Sequence, residues 1–229
     1  MGALLKTWRL VLEILFPPIC LNCRGHITRE RQADLLCPNC LDGVTIYSNV
    51  FYPDPRFSLF ALGSYKNTAL RELLHYLKYN GFLGAKIPLE KLIVKWLETN
   101  LILASSFLDP RFCLVPIPLH KSRLRKRGFN QAELIAEILS RHLNLPVENL
   151  LRRIRDTKSQ INMRNAKERE ANVKDSIEVK EDEKASLLQY RGVILVDDVY
   201  TSGATMQEAV KVLRWAGIKD IAVFVIAKT

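Results

Sequence analysis

No internal repeat and no low-complexity linker interrupts the chain. With 48% hydrophobic residues and acids and bases spread along its length, it is neither disordered nor fibrous. A secretory signal is missing as well. Residues 4–16 are apolar but carry Lys6, Arg9 and Glu13, and no small-residue cleavage site follows them. The same stretch is too short and too charged to span a bilayer. Histidine is scarce: His26, His75, His120 and His142 are not at ligand spacing, so they suggest no metal centre.

A length of 229 residues suffices for a full core, and predicts one main domain with a small appendage. The expected division is 1–45, an N-terminal helix and a cysteine-bearing segment, and 57–229, the main domain. Leu4, Leu5, Trp8, Leu12 and Leu15 recur at helical spacing, which predicts an amphipathic helix covering part of the core. Peripheral contact with a membrane or a partner is the weaker alternative, and the cytoplasm is the expected compartment. The formal charge of +10 is concentrated in the middle: residues 111–169 hold fourteen Lys or Arg against five Asp or Glu. Scattered charge would be a solvated face, whereas clustering of this kind suits a polyanion or polyphosphate partner.

Four of the five cysteines form two Cys-x-x-Cys pairs, Cys20/Cys23 and Cys37/Cys40, separated by thirteen residues. Each pair sets two thiolates on one tight turn, and four thiolates complete a closed tetrahedral shell. So small a segment has little core of its own, and structural zinc could supply on the order of 10 kcal/mol of folding free energy. Two redox pairs or a four-cysteine iron–sulfur site are the alternatives. A closed shell leaves no open position for catalysis. Cys113, alone, reads as a buried strand residue.

Pro17 and Pro18 end the first helix, and a connector containing Pro53 and Pro55 spans 47–57. A strand is expected at 60–65 and a helix at 70–77; Gly81 and Gly84 then break the pattern before a helix at 89–103. A strand at 112–117 is stopped by Pro116 and Pro118, and a helix follows at 132–143. Residues 150–173 are polar, basic and without clear periodicity. The β-branched run 192–196 suits a parallel strand buried on both faces. A helix at 204–215, closed by Gly217, and a last strand at 221–227 complete the chain. Strands alternating with helices predict an α/β fold with a parallel sheet and flanking helices.

Residues 193–205 carry the strongest signal. A buried strand delivers Asp197 and Asp198 to its carboxyl end, and Thr201, Ser202, Gly203, Ala204 and Thr205 turn into a helix. Ligands of open α/β sheets bind at this end. Backbone N–H groups and hydroxyls of the turn, with the positive helix start, suit a phosphate. Two adjacent carboxylates would repel that phosphate, so they suit vicinal ribose hydroxyls or a metal-bound water. An ordinary strand-end acid pair with a Thr or Ser helix cap would account for either feature alone.

The whole string resembles the phosphoribosyltransferase signature, in which the acid pair holds the ribose hydroxyls and the following loop grips the 5-phosphate. Tyr200 stands where an aliphatic residue is usual. The resemblance implies a type I phosphoribosyltransferase-like sheet, with Asp197 and Asp198 as ribose ligands and 201–205 as the phosphate loop. Upstream, Val115-Pro116-Ile117-Pro118-Leu119-His120 ends a strand before Lys121, Arg123, Arg125, Lys126 and Arg127. Guanidinium groups there could pair with pyrophosphate oxygens. Together with Gly128-Phe129-Asn130-Gln131-Ala132, this segment resembles the ComF family of amidophosphoribosyltransferase-like competence proteins, whose relatives include carbohydrate-utilisation proteins of the GntX type. Leu151, Arg153, Arg155, Thr157, Gln160, Arg169, Asn172 and Val173 extend the match, as does the four-cysteine segment; Ile177 departs from it.

The resemblance implies a mobile arm at 153–160 and a pyrophosphate or polyanion site drawing on Arg123, Arg125, Lys126, Arg127, Arg153, Arg155 and Lys158. Magnesium would accompany a phosphoribosyl diphosphate ligand, and Cys20, Cys23, Cys37 and Cys40 would hold zinc. The implied role is handling or import of single-stranded DNA during natural transformation, alongside competence-machinery proteins. The alternative is a phosphoribosyltransferase enzyme, in which a nitrogen nucleophile of a small molecule or nucleic acid attacks the anomeric carbon.

Overall fold

The computed structural model describes residues 17–28, 34–79, 82–102, 109–157 and 171–229. The helix expected at 4–16, together with Lys158, Gln160 and Arg169, lies outside the described residues. In chain order the elements are α1 (Pro38–Asp42), β1 (Phe51–Asp54), β2 (Phe57–Ser64), α2 (Thr68–Tyr79), α3 (Phe82–Thr99) and β3 (Phe112–Pro116). There follow α4 (Lys121–Arg127), α5 (Gln131–Leu143), β4 (Leu151–Arg153), β5 (Ile177–Val179), α6 (Lys184–Leu187), β6 (Gly192–Tyr200), α7 (Ala204–Trp215) and β7 (Asp220–Lys228).

Five strands form the central sheet in the order β1-β2-β7-β6-β3. The β2–β7, β7–β6 and β6–β3 pairings are parallel, and β1 closes one edge antiparallel to β2. The sheet is therefore mixed rather than wholly parallel. Its antiparallel strand lies in the segment read as a connector, because Pro53 suggested irregular chain; on an edge strand the missing N–H costs no ladder bond. The β4–β5 hairpin forms a separate two-stranded sheet.

Period-two alternation divides the core. On one face Ile194, Val196, Phe224 and Ile226 pack against Leu70, Leu73 and Leu77 of α2, Leu89, Ile93 and Trp96 of α3, and Ile135 and Ile138 of α5. Trp96 sits edge-on to Phe224, with ring centroids 5.0 Å apart. On the other face Val193, Leu195, Val223 and Val225 meet Met206, Ala209, Val210 and Leu213 of α7, with Leu151 and Ile177 of the small sheet. Burial on both sides is what the unbroken apolar runs of β6 and β7 call for. Each large aliphatic side chain so buried contributes roughly 1.5–3 kcal/mol before chain entropy is counted. Cys20, Ile27, Leu36 and Val44 join the first of these clusters, so the cysteine segment shares the core of the sheet.

Two boundaries differ from the sequence expectation. Helix α3 begins at Phe82 and runs through Gly84 and Pro88. Gly84 is tolerated there because the helix passes close to α2: a Cβ at Gly84 would meet the Tyr76 Oη at 3.2 Å. Strand β6 continues four residues past Val196, since β7 pairs with it as far as Tyr200↔Lys228. The acid pair is thus held on a strand rather than on a loop. Among the described residues, no helix is long and apolar enough to cross a membrane.

Candidate functional site

A cavity of about 160 Å3 opens beyond the carboxyl end of β3 and beside that of β6. Asp197 and Asp198 line it from β6, and Thr201, Gly203 and Thr205 line it from the β6–α7 turn. Gly203 caps α7 with φ +79°, in the left-handed region. A side chain there would be strained by that angle and would collide with Tyr200, whose Oη lies 2.2 Å from the position of a Cβ. Tyr200 is itself buried and also lines the cavity. The aromatic residue that departs from the usual aliphatic thus packs under the turn and makes a glycine obligatory.

Lys78, at the end of α2, enters from the side and places its Nζ 2.7 Å from Asp198 Oδ2. Burial alone would pull its ammonium down, but the carboxylates of Asp198 and Asp197 more than offset that and hold it above the ordinary lysine value. Asp197 accepts the backbone N–H of Asp198 at 2.8 Å. Its own carboxyl is pushed up to about 7, first by burial and then by the charge of Asp198, against smaller opposing effects of Lys78 and Arg153.

The basic segment forms a seven-residue helix, α4, where the sequence predicts no element. His120 caps its first turn, accepting the Ser122 N–H at 3.3 Å, and Gly128 closes it with φ +80°. No apolar stripe announces such a helix, and its caps make it. Only Arg123 and Arg127 of its five cations line the cavity; Arg125 and Lys126 are exposed and lie outside the lining. Arg153 reaches in from β4 and donates to Thr157 Oγ1 at 2.8 Å, while Arg123 donates to the Thr157 carbonyl. Burial lowers both guanidinium groups from their usual value, though not enough to discharge them. Arg155 turns away and donates to the Lys174 carbonyl.

Asn130 ties this wall together: it donates to the Ile117 carbonyl at 3.0 Å and caps α5 by accepting the Ala132 N–H at 3.1 Å. Arg127 donates to Gln131 Oε1 at 2.9 Å, which turns the Gln131 amide nitrogen free of that contact. Among the described residues six buried polar side-chain atoms lack a partner; two of them, Gln131 Nε2 and Arg153 Nε, belong to residues that line the cavity, and a third, Ser202 Oγ, sits in the turn between the lining residues Thr201 and Gly203. All three can donate. Buried donors without acceptors are costly, so a cavity that collects them suits an oxygen-rich ligand.

The structure therefore brings together Asp197, Asp198, the 201–205 turn, Arg123, Arg127 and Arg153. It leaves Arg125, Lys126 and Arg155 outside the lining. Lys78, Thr157 and Tyr200 join the site without having been singled out as ligands. Nothing local marks Lys78; it is one lysine at the end of a helix, and only the packing of α2 on the sheet aims it at Asp198.

At the other extremity of the chain, the Sγ atoms of Cys20, Cys23, Cys37 and Cys40 all lie within 4.8 Å of one another. Cys23 and Cys37 are 3.7 Å apart. A tetrahedral shell with metal–sulfur bonds of about 2.3 Å needs sulfur separations of about 3.8 Å, so the cluster can hold a metal ion with little adjustment. Its turns are pre-formed: Cys20 N donates to Gly25 O at 2.8 Å, and Arg24 adopts a positive φ of 60°. The Cys37 N–H and the Asn22 amide point at Cys20 Sγ (3.3 Å) and Cys40 Sγ (3.2 Å), as donors to thiolates would.

Residues 130–229 match the phosphoribosyl transferase domain family. Over most of its length the chain is similar to the competence protein F of Haemophilus influenzae, 27% identical over 91% of this chain and 96% of the relative. It is also similar to the competence protein ComFC of Bacillus subtilis, 29% identical over 90% of this chain and 82% of the relative. The DNA utilization protein YhgH of Escherichia coli K12 is 28% identical over 93% of this chain and 98% of the relative. With a four-cysteine cluster and a phosphoribosyltransferase-type sheet in one chain, this protein is similar to these competence and DNA-utilization proteins along about nine-tenths of its length.

Proposed function

We propose that the cavity binds phosphoribosyl diphosphate or a related sugar phosphate, and that the protein takes part in handling or import of single-stranded DNA during natural transformation. The observation that carries the first half is the gathering of buried, partnerless donors around a carboxylate pair. In this reading Asp197 and Asp198 take the ribose hydroxyls, residues 201–205 take the 5-phosphate, and Arg123, Arg127 and Arg153 take the diphosphate. Magnesium with the ligand would add positive charge beside the two carboxylates. The second half is supported by the competence and DNA-utilization names of the relatives and by the central excess of cations. The division into 1–45 and 57–229 is kept, with the cysteine cluster holding a structural zinc ion that fixes the first unit on the sheet. One zinc per chain by elemental analysis, lost together with helical signal on chelation, is the expected result.

Calorimetric titration of the sugar diphosphate, with and without magnesium, tests the pocket. Wild type should bind and the Asp197→Asn/Asp198→Asn pair should not; equal binding by both would remove the assignment. A transferase reading is favoured by one further feature: the carboxylates and the guanidinium groups occupy different walls, as a ribose and its departing diphosphate would require. It predicts pyrophosphate release when donor and a nitrogen acceptor are mixed, and no release from any acceptor would reduce the site to a binding pocket.

A further inference from the structure

Helix α4 spaces its cations so that they cannot all serve one ligand. At 100° per residue, Arg123 and Arg127 fall on one face, Lys121 and Arg125 fall nearly opposite, and Lys126 lies on the flank between Arg125 and Arg123. The inner pair lines the cavity. Lys121, Arg125 and Lys126 are exposed, and among the described residues none has a hydrogen bond or ion pair. The helix contains no acid. Asp156 is engaged by other residues of this segment: it accepts from Ser122 Oγ at 2.5 Å and lies 3.9 Å from Arg123 Nε.

We propose that this outer face is a docking ridge for the phosphate backbone of single-stranded nucleic acid, separate from the sugar-phosphate cavity that the same helix lines. The inference rests on the DNA-handling reading above and gives it a surface. Three unneutralised cations on a helix about 10 Å long can face successive phosphates, and the release of their counterions supplies the binding free energy. Arg125 and Lys126 lie in the last turn, where cations complement the negative end of the helix dipole. A membrane surface fits less well. Insertion needs an apolar face, and the only large apolar side chain of α4, Leu124, is 39% exposed and isolated. Because α4 presents its other face to the cavity, a strand on the ridge and a ligand in the pocket share one rigid element.

The experiment measures binding of a fluorescent oligothymidine to the full chain across a salt series. It is run for wild type and for Lys121→Ala/Arg125→Ala/Lys126→Ala, with the sugar diphosphate titrated into both. Removing three phosphate contacts should flatten the slope of log K against log salt by about 2, at about 0.7 per phosphate on a single strand, and leave sugar-diphosphate affinity within about twofold. An unchanged slope in the triple variant, with wild type binding well, overturns the ridge and leaves the DNA reading standing. A wild type that shows no salt-dependent binding overturns both. A parallel loss of sugar-diphosphate affinity would mean one shared anion site and also overturns the separation. Polyglutamate or anionic vesicles competing as well as an oligonucleotide of equal charge would reassign the face to an acidic protein or a lipid surface.

Discussion

At the amino end of the central sheet, Asp109 takes two guanidinium groups, Arg111 at 2.7 Å and Arg191 at 3.0 Å, and Arg191 also reaches Asp220 at 3.0 Å. At the carboxyl end, Lys78, Arg123, Arg127 and Arg153 face a cavity lined by two acids, Asp197 and Asp198, with Asp156 3.9 Å from Arg123 outside the lining. The first cluster is closed: two acids and two guanidinium groups, in water, all paired. Asp109 is held well below the usual carboxylate range, chiefly by Arg111, and nothing is left over to bind a ligand. The second is open. It has more cations than acids, a carboxyl pushed up to about 7, and buried donors with no acceptor. A count of charged residues would not separate the two ends; the imbalance and the burial do.

This contrast can be broken or sharpened by substitution. The largest effect is expected for Asp197→Asn/Asp198→Asn. Charged hydrogen bonds of roughly 1.5–3 kcal/mol each to the sugar hydroxyls disappear, so affinity for the sugar diphosphate should fall at least about a hundredfold by calorimetry. Gly203→Ala should come next, at about tenfold in the same titration, since it combines a positive φ with a collision against Tyr200. Adding Tyr200→Phe should recover part of that loss by removing the Oη, but not the part owed to the backbone angle.

A smaller effect concerns pH. Folded Asp197 keeps its proton up to about pH 7, whereas an unfolded aspartate releases it near 3.8. Between those values the folded chain binds more protons, so this residue makes stability fall as pH rises through the window. Denaturation midpoints of Asp197→Asn between pH 4 and 7 should therefore slope less steeply downward than those of wild type. The smallest effect belongs to the closed end. Arg191→Ala should leave sugar-diphosphate binding unchanged and move Tm by no more than about 3 °C, as exposed ion pairs do. A loss of ligand affinity in that variant would erase the distinction between the two ends.

The acid pair, the 201–205 turn and the cysteine pairs were legible because each is contiguous or nearly so, and its chemistry is carried by neighbours in the chain. The apolar runs of β6 and β7 were legible for the same reason. Helix α4 was not, since seven mostly cationic residues show no apolar period and are made helical by His120 and Gly128 at their ends. The start of α3 was obscured by Gly84 and Pro88, and β1 by Pro53, each of which is tolerated for a reason that lies outside its own segment. Arg155 matched a family pattern as well as Arg153 does, yet only Arg153, the last residue of β4, lines the cavity, while Arg155 lies beyond the strand and donates to the Lys174 carbonyl.

Which residue types gather at a strand end, and that four thiols can close a shell, is written in the order of the amino acids, because those groups are held together by covalent neighbours. Which cations turn inward is a different matter. The aim of Lys78 at Asp198, the orphaned donors of Gln131, Arg153 and Ser202, and the two faces of α4 arise only when segments far apart in the chain pack on one sheet. Burial and distance, which set the strength and sign of every electrostatic effect here, are properties of that packing.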